Sequence, residues 1–156
     1  MGLHSPATTL TYQEALEAAL CHGWIDGQKG RFDDRFWLQR FTPRGPRSKW
    51  SQVNREKAQA LIAQGRMKPA GRAQVEAAQR DGRFEAAYAP QSRIAVPQDF
   101  QQALDENPPA AVFFATLSSS QRYSFLYRIH DAKRPATRER RIREFAAMLA
   151  ERRTIH

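Results

Sequence analysis

Residues Trp24–Phe41 read WIDGQKGRFDDRFWLQRF. Two aromatic-rich runs, WIDGQKGRF and RFWLQRF, flank Asp33-Asp34. Aromatic side chains suit a pleated surface, and aspartates satisfy their own backbone in a tight turn. The stretch therefore predicts two short antiparallel strands joined there. Asp26-Gly27 is a rival turn position, which leaves the register open. Phe36, Trp37 and Leu38 are consecutive and apolar, so both faces of the second strand are expected to meet apolar neighbours. A lone two-stranded ribbon is marginal in water and must pack on helices or find another strand.

Helical patterns surround this hairpin. Before it, Thr11 and Glu14 form a T-x-x-E capping box that opens a helix. Tyr12, Leu16, Ala19 and Leu20 fall on one face, and Gly23 ends the helix. After it, TPRGPRS (42–48) is a proline- and glycine-broken loop. Ser48 or Ser51 then caps a helix over about 52–64, closed by Gly65, whose inner row includes Trp50, Asn54, Ala58, Leu61 and Ile62. Pro69 starts a third helix that Gly82 stops; it is alanine-rich and reads as peripheral. YAPQSRIAVP (88–97) reads as a linker. Beyond it, four helical stretches start near Pro97, Pro109, Ser118 and Pro135. Their expected inner residues include Phe100, Leu104, Phe113, Phe114, Tyr123, Leu126, Ile129, His130, Ile142, Phe145, Ala146 and Leu149.

The expected fold is mainly α with a small β-hairpin. An α+β N-terminal part covers residues 1–90 and an all-helical C-terminal module covers 91–156. The length of 156 residues, 41% of them hydrophobic, suffices for such cores. The net charge of +9 points toward anionic partners. The single cysteine, Cys21, excludes an internal disulfide and a cysteine zinc cluster. The histidines are scattered, so a structural metal is not expected. MGLHSPATTL lacks a basic start and a long apolar core, and no window has the length of a membrane span, so the expectation is a cytoplasmic protein.

Three groups of residues invite chemistry. Lys29, Arg31, Arg35, Arg40, Arg44, Arg47 and Lys49 interleave with Phe32, Phe36, Trp37, Phe41 and Trp50. Cations neutralise phosphates and rings stack on bases, but the same run equally suits core rings with solvated cations. His22, Asp26, Asp33 and Asp34 could perform acid–base work if burial shifted them, although turn chemistry accounts for the aspartates as simply. Cys21 and His22 are neighbours on a helix, about 100° apart, and so do not face each other. The C-terminal arginines, among them Arg122, Arg138 and Arg141, read by default as a solvated face.

The blocks LTYQEALEAALCHGWIDGQ, LQRFTPRGPRSKWSQVNREK and FFATLSSSQRYSFLYRIHDAKRPATRERRIREF resemble the YdeI/OmpD-associated, or bacteriocin-protection, family from Leu10 nearly to the end. The resemblance implies a mainly helical protein with a small sheet, a link to bacteriocin or cationic-peptide tolerance, and no settled reaction or cofactor. It also implies a further segment with a strand before the first block, where this chain has Met1–Thr9. The hairpin is then expected to keep an exposed edge or to have it covered by a second subunit, which makes a homodimer an expectation. The positions matching the family blocks supply a ligand-binding set: Trp24, Asp26, Gln28, Arg40, Arg44, Trp50 and Asn54, joined by Arg47 of the loop. In that reading Arg40, Arg44 and Arg47 contact an anion, Trp24 and Trp50 form walls, and Gln28 and Asn54 orient. No catalytic residue is assigned. Nonspecific nucleic-acid binding and a small enzyme using Asp26 or His22 stand as rivals.

Overall fold

The computed structural model of the protein describes residues 10–155. Seven helices and one two-stranded antiparallel sheet make up the regular structure of these residues. The chain divides into two units, Met1–Ala87 and Tyr88–His156.

The N-terminal unit opens with α1 (Tyr12–Cys21). Its capping box is complete: the Thr11 hydroxyl accepts from the Glu14 amide, and the Glu14 carboxylate accepts from the Thr11 amide at 2.9 Å. The Thr11 hydroxyl also donates to that carboxylate at 2.6 Å, and this bond, then the amide's, holds the Glu14 carboxyl below the usual range. Gly23 (φ +75°) turns the chain out of α1 into β1 (Trp24–Arg31), which pairs with β2 (Trp37–Pro43). The connection is the Asp33-Asp34 turn, where one Asp33 oxygen accepts from the amides of Arg35 and Phe36, both at 2.8 Å. Asp26-Gly27 holds no turn. Instead Asp26 faces Phe41 and Lys29 faces Gln39, so Gly27 and Gln28 together oppose Arg40 in a β-bulge. The Gln39 amide braces the bulge by donating to the Gly27 carbonyl at 2.9 Å.

The hairpin is covered less than the sequence suggests. Leu38 is 58% exposed and Trp37 42%, so the second strand does not have apolar cover on both faces. Near the base Phe41 packs against the core, and at the turn end Trp37 has only Tyr12 beside it, at 6.0 Å between ring centroids. Helix α2 (Gln52–Ala63) starts at Ser51, whose hydroxyl accepts from the Asn54 amide, and buries Asn54, Ala58 and Leu61.

Helix α3 (Pro69–Arg80) is not peripheral. Val75 and Ala78 are in the core, and Gly71 lies against the end of α1. A Cβ at Gly71 would overlap the Cys21 carbonyl oxygen and the Met67 sulfur. A glycine, backbone carbonyls and the Met67 sulfur make this contact, so the alanine-rich sequence of α3 gives no apolar stripe to announce it.

In the C-terminal unit, α4 (Gln98–Asp105), α5 (Pro108–Thr116), α6 (Ser119–His130) and α7 (Pro135–Ala150) enclose a second core. Phe125 lies at its centre, with edge-on contacts to Phe114 and Phe145. His130 is exposed rather than buried, although its ring does hydrogen-bond the Ala95 carbonyl at 3.0 Å. Residues 88–97 are a packed strap, not a free linker: Tyr88 meets Tyr127 edge-on, and the Tyr123 hydroxyl donates to Ala89.

The C-terminal arginines are only partly a solvated face. Arg122 donates to the carbonyls of Leu117 and Ala115 at the end of α5. Arg138 and Arg141 donate to those of Ile129 and Arg128 at the end of α6. Helix C-termini leave carbonyls unsatisfied and carry partial negative charge, so cations suit them.

Arg138 also forms a two-pronged ion pair with Asp99, including a 2.8 Å contact. That hydrogen bond holds the Asp99 carboxyl below its ordinary 3.8. A lowered carboxylate pKa stabilises the fold fully above the unfolded value, and the gain fades as pH falls through the folded one. Asp99→Asn is therefore expected to flatten the acid limb of the unfolding curve below about pH 4 and to leave its shape near neutrality unchanged, as read by chemical denaturation across pH.

Candidate functional site

The hairpin base brings three elements onto one carboxylate. Asp26 of β1 accepts from the Tyr12 hydroxyl of α1 at 2.9 Å and from the Asn54 side-chain amide of α2 at 3.4 Å. Asn54 is 8% exposed, and its own amide is held by Ser51. The bulge after Asp26 changes the register, so the residues toward the turn keep the same face as Asp26 only through the extra residue. The result is a carboxylate fixed by two neutral donors beside the hairpin.

Arg44 and Trp50 form a second constellation. The Arg44 guanidinium lies 3.7 Å over the Trp50 ring and donates to the Lys49 carbonyl at 3.1 Å. The Arg44 amide donates to Gly23, tying the loop to the end of α1. Trp50 is 2% exposed and meets Phe84 edge-on at 5.1 Å. One side of its indole thus faces Arg44 and the other the core, and it presents no face to solvent. Arg83 secures the same loop by donating to the Ser48 carbonyl at 2.9 Å.

The remaining members of the expected set are at the surface. Trp24 is 42% exposed beside α1. Gln28 sits exposed in the bulge, Arg40 is exposed on β2, and Arg47 is exposed on the loop. Neither Arg40 nor Arg47 takes an ion pair among the described residues. The structure thus joins Asp26 to Asn54 and Arg44 to Trp50, and it separates the Trp24 surface from the Trp50 interior. His22 caps the C-terminal end of α1, exposed, with no hydrogen bond to Asp26.

Two contributors escaped the sequence reading. Tyr12 counts there as part of an apolar row, yet its hydroxyl is the shortest hydrogen bond to Asp26; a buried phenol needs a partner, which is the available clue. Lys29 lies 4.0 Å over the Trp37 ring, so the exposed part of the hairpin carries a cation on an aromatic face. Phe32, at 66% exposure, extends this basic-aromatic surface to the turn. Among the described residues no group of three or more His, Cys, Asp or Glu could hold a metal ion. No described helix is long and apolar enough to cross a membrane.

Comparison with known proteins divides the chain much as its fold does. Residues 2–74 match the model of a domain of unknown function, DUF8412. Residues 93–152 match the model described as bacteriocin-protection, YdeI or OmpD-associated. The YdeI/OmpD-associated resemblance read from Leu10 onward is matched by that family's model over residues 93–152, whereas the N-terminal part matches a different model. No curated protein and no solved structure matches the chain. Residues 93–152, most of the C-terminal unit, are thus similar to the bacteriocin-protection, YdeI or OmpD-associated family.

Proposed function

We propose that the N-terminal unit binds a phosphate-bearing anion on the hairpin and the TPRGPRSKW loop (42–50). The observation that carries this reading is the exposure of Arg40 and Arg47 without an ion pair among the described residues. Arg44 serves the site differently from its neighbours: stacked on Trp50 and bonded to Lys49, it positions the loop. Trp24 supplies an exposed ring, Gln28 an amide in the bulge, and Asp26 with Asn54 a fixed hydrogen-bonding base to the hairpin. The bacteriocin-protection link in the family description extends the proposal to a role in tolerance of such toxins.

Ligand binding to the native state alone raises the unfolding midpoint, so a thermal-shift screen against inorganic phosphate, pyrophosphate, nucleotides and phosphosugars tests the reading. The expected result is a stabilising hit whose affinity falls about tenfold or more in Arg40→Glu/Arg47→Glu. Both positions are exposed, so the unliganded midpoint should hold within about 0.5 kcal/mol of stability. Unchanged affinity in the double variant contradicts the proposal.

A second reading rests on the exposed rings of Phe32, Trp37 and Trp24 among Lys29, Arg31 and Arg35: binding of single-stranded nucleic acid by stacking. It predicts retardation of an oligonucleotide that weakens steeply with salt. A nucleotide hit without oligonucleotide binding separates the two.

A further inference from the structure

One side of α1 presents small side chains beside the hairpin. Ala15, Ala18 and Ala19 lie beside the Trp24 and Phe41 rings and bound an open depression of about 500 Å³. A second depression, of about 520 Å³, lies toward the turn between Tyr12 and the Phe36–Trp37 corner. Both are lined by Leu10, Ala15 and Phe41, so they join as one trough along α1. From Trp37 to Pro43, the partner of Trp24, the strand spans roughly 20 Å at the usual rise per residue.

The chemistry of this trough is one-sided. No acidic side chain lines either depression among the described residues. Of the acids nearby, Glu14 is held by Thr11 and Asp26 by Tyr12, while beside Arg35 the Asp33 carboxylate accepts the Arg35 and Phe36 amides and Asp34 pairs with Arg31. At the turn end stands Arg35, exposed, 5.6 Å over the Phe36 ring and without an ion pair among the described residues. A trough that is apolar along α1, with His22 at that end, and polar toward the turn, where Thr11, Gln39 and the cation Arg35 line it, complements in a chain of net charge +9 a ligand with an apolar body and an acid head.

We infer that this trough binds the free anion of a long-chain carboxylic acid, with the chain along the alanine face of α1 and the carboxylate at Arg35. The two sites share Trp24 but not their cations, Arg35 here and Arg40 with Arg47 in the proposed phosphate site, so the arginine variants test the two proposals separately. Size decides against an inorganic anion, which would leave the apolar length of the trough unfilled. The lack of lining carboxylates decides against a cationic ligand.

The test is titration of the intact chain with monomeric palmitate, followed by tryptophan emission, with 1-hexadecanol as the neutral counterpart. Trp24 and Trp37 border the trough while Trp50 is already buried, so occupation moves the emission to the blue. The expected result is saturable binding, about tenfold tighter for palmitate than for the alcohol, with that preference lost in Arg35→Ala. Ala18→Trp, at an exposed helix position, fills the trough and abolishes binding while the far-ultraviolet dichroism is kept. Absence of saturable binding overturns the inference, as does equal affinity for acid and alcohol or full binding by Ala18→Trp. Association with phosphatidylglycerol vesicles without uptake of monomeric palmitate overturns it too, because the trough would then be a membrane-facing surface.

Discussion

Arg44→Glu is expected to destabilise the N-terminal unit by about 3–5 kcal/mol, the usual effect of leaving an uncompensated charge buried. Arg44 is 6% exposed. Its guanidinium covers the Trp50 ring at 3.7 Å and donates to the Lys49 carbonyl. A carboxylate there would face the π-cloud and a carbonyl oxygen, both of which repel it. Urea unfolding monitored by indole fluorescence reads the effect directly, since Trp50 lies at the contact. The same variant separates structural from ligand-contacting arginines: Arg44→Glu should lower the unfolding midpoint sharply, whereas Arg40→Glu and Arg47→Glu should leave it nearly unchanged. A stable Arg44→Glu protein would show that the Arg44–Trp50 stack does not hold the loop.

The second large effect belongs to the other core. Phe125→Ala should lower the stability of the C-terminal unit by about 3–5 kcal/mol, through lost burial and the cavity that remains. Phe125 is fully buried, with Phe114 on one side at 6.5 Å and Phe145 on the other at 5.2 Å between ring centroids. Calorimetry should show a lowered transition for this unit, and a change below about 1 kcal/mol would mean that the aromatic chain is not the centre of that core.

Where local chemistry dictates structure, the sequence was readable. The Thr11–Glu14 box starts α1, the aspartate pair makes the hairpin turn, and Gly23, Gly65 and Gly82 adopt the positive φ expected after helices. Ile142, Phe145, Ala146 and Leu149 form the buried stripe of α7 as their spacing requires. Misreadings arose where several local patterns fit one segment. Helix α6 carries Tyr123, Phe125, Leu126, Tyr127 and Ile129 around much of its circumference, so the phase of its stripe is ambiguous. The reading placed His130 inside, where the fold instead buries Phe125. The α3 contact was illegible because Gly71 packs by having no side chain.

The candidate site shows the same boundary. Its residue types were visible as a basic-aromatic run, but nothing in the run says which cation goes inside. Burial of Arg44 depends on Trp50 reaching Phe84, some thirty positions away, and the support of Asp26 depends on Tyr12 and Asn54 from two different helices. These are tertiary choices, made by packing rather than by neighbours in sequence.

The most direct measurement is nuclear magnetic resonance of the arginine Nε–H groups during titration with inorganic pyrophosphate. The Arg40 and Arg47 signals should move together and saturate, while those of Arg138 and Arg141, whose guanidinium groups are held by Asp99 and helix carbonyls, stay in place. Saturating shifts confined to the C-terminal arginines, or no saturation anywhere, would contradict anion binding at the hairpin.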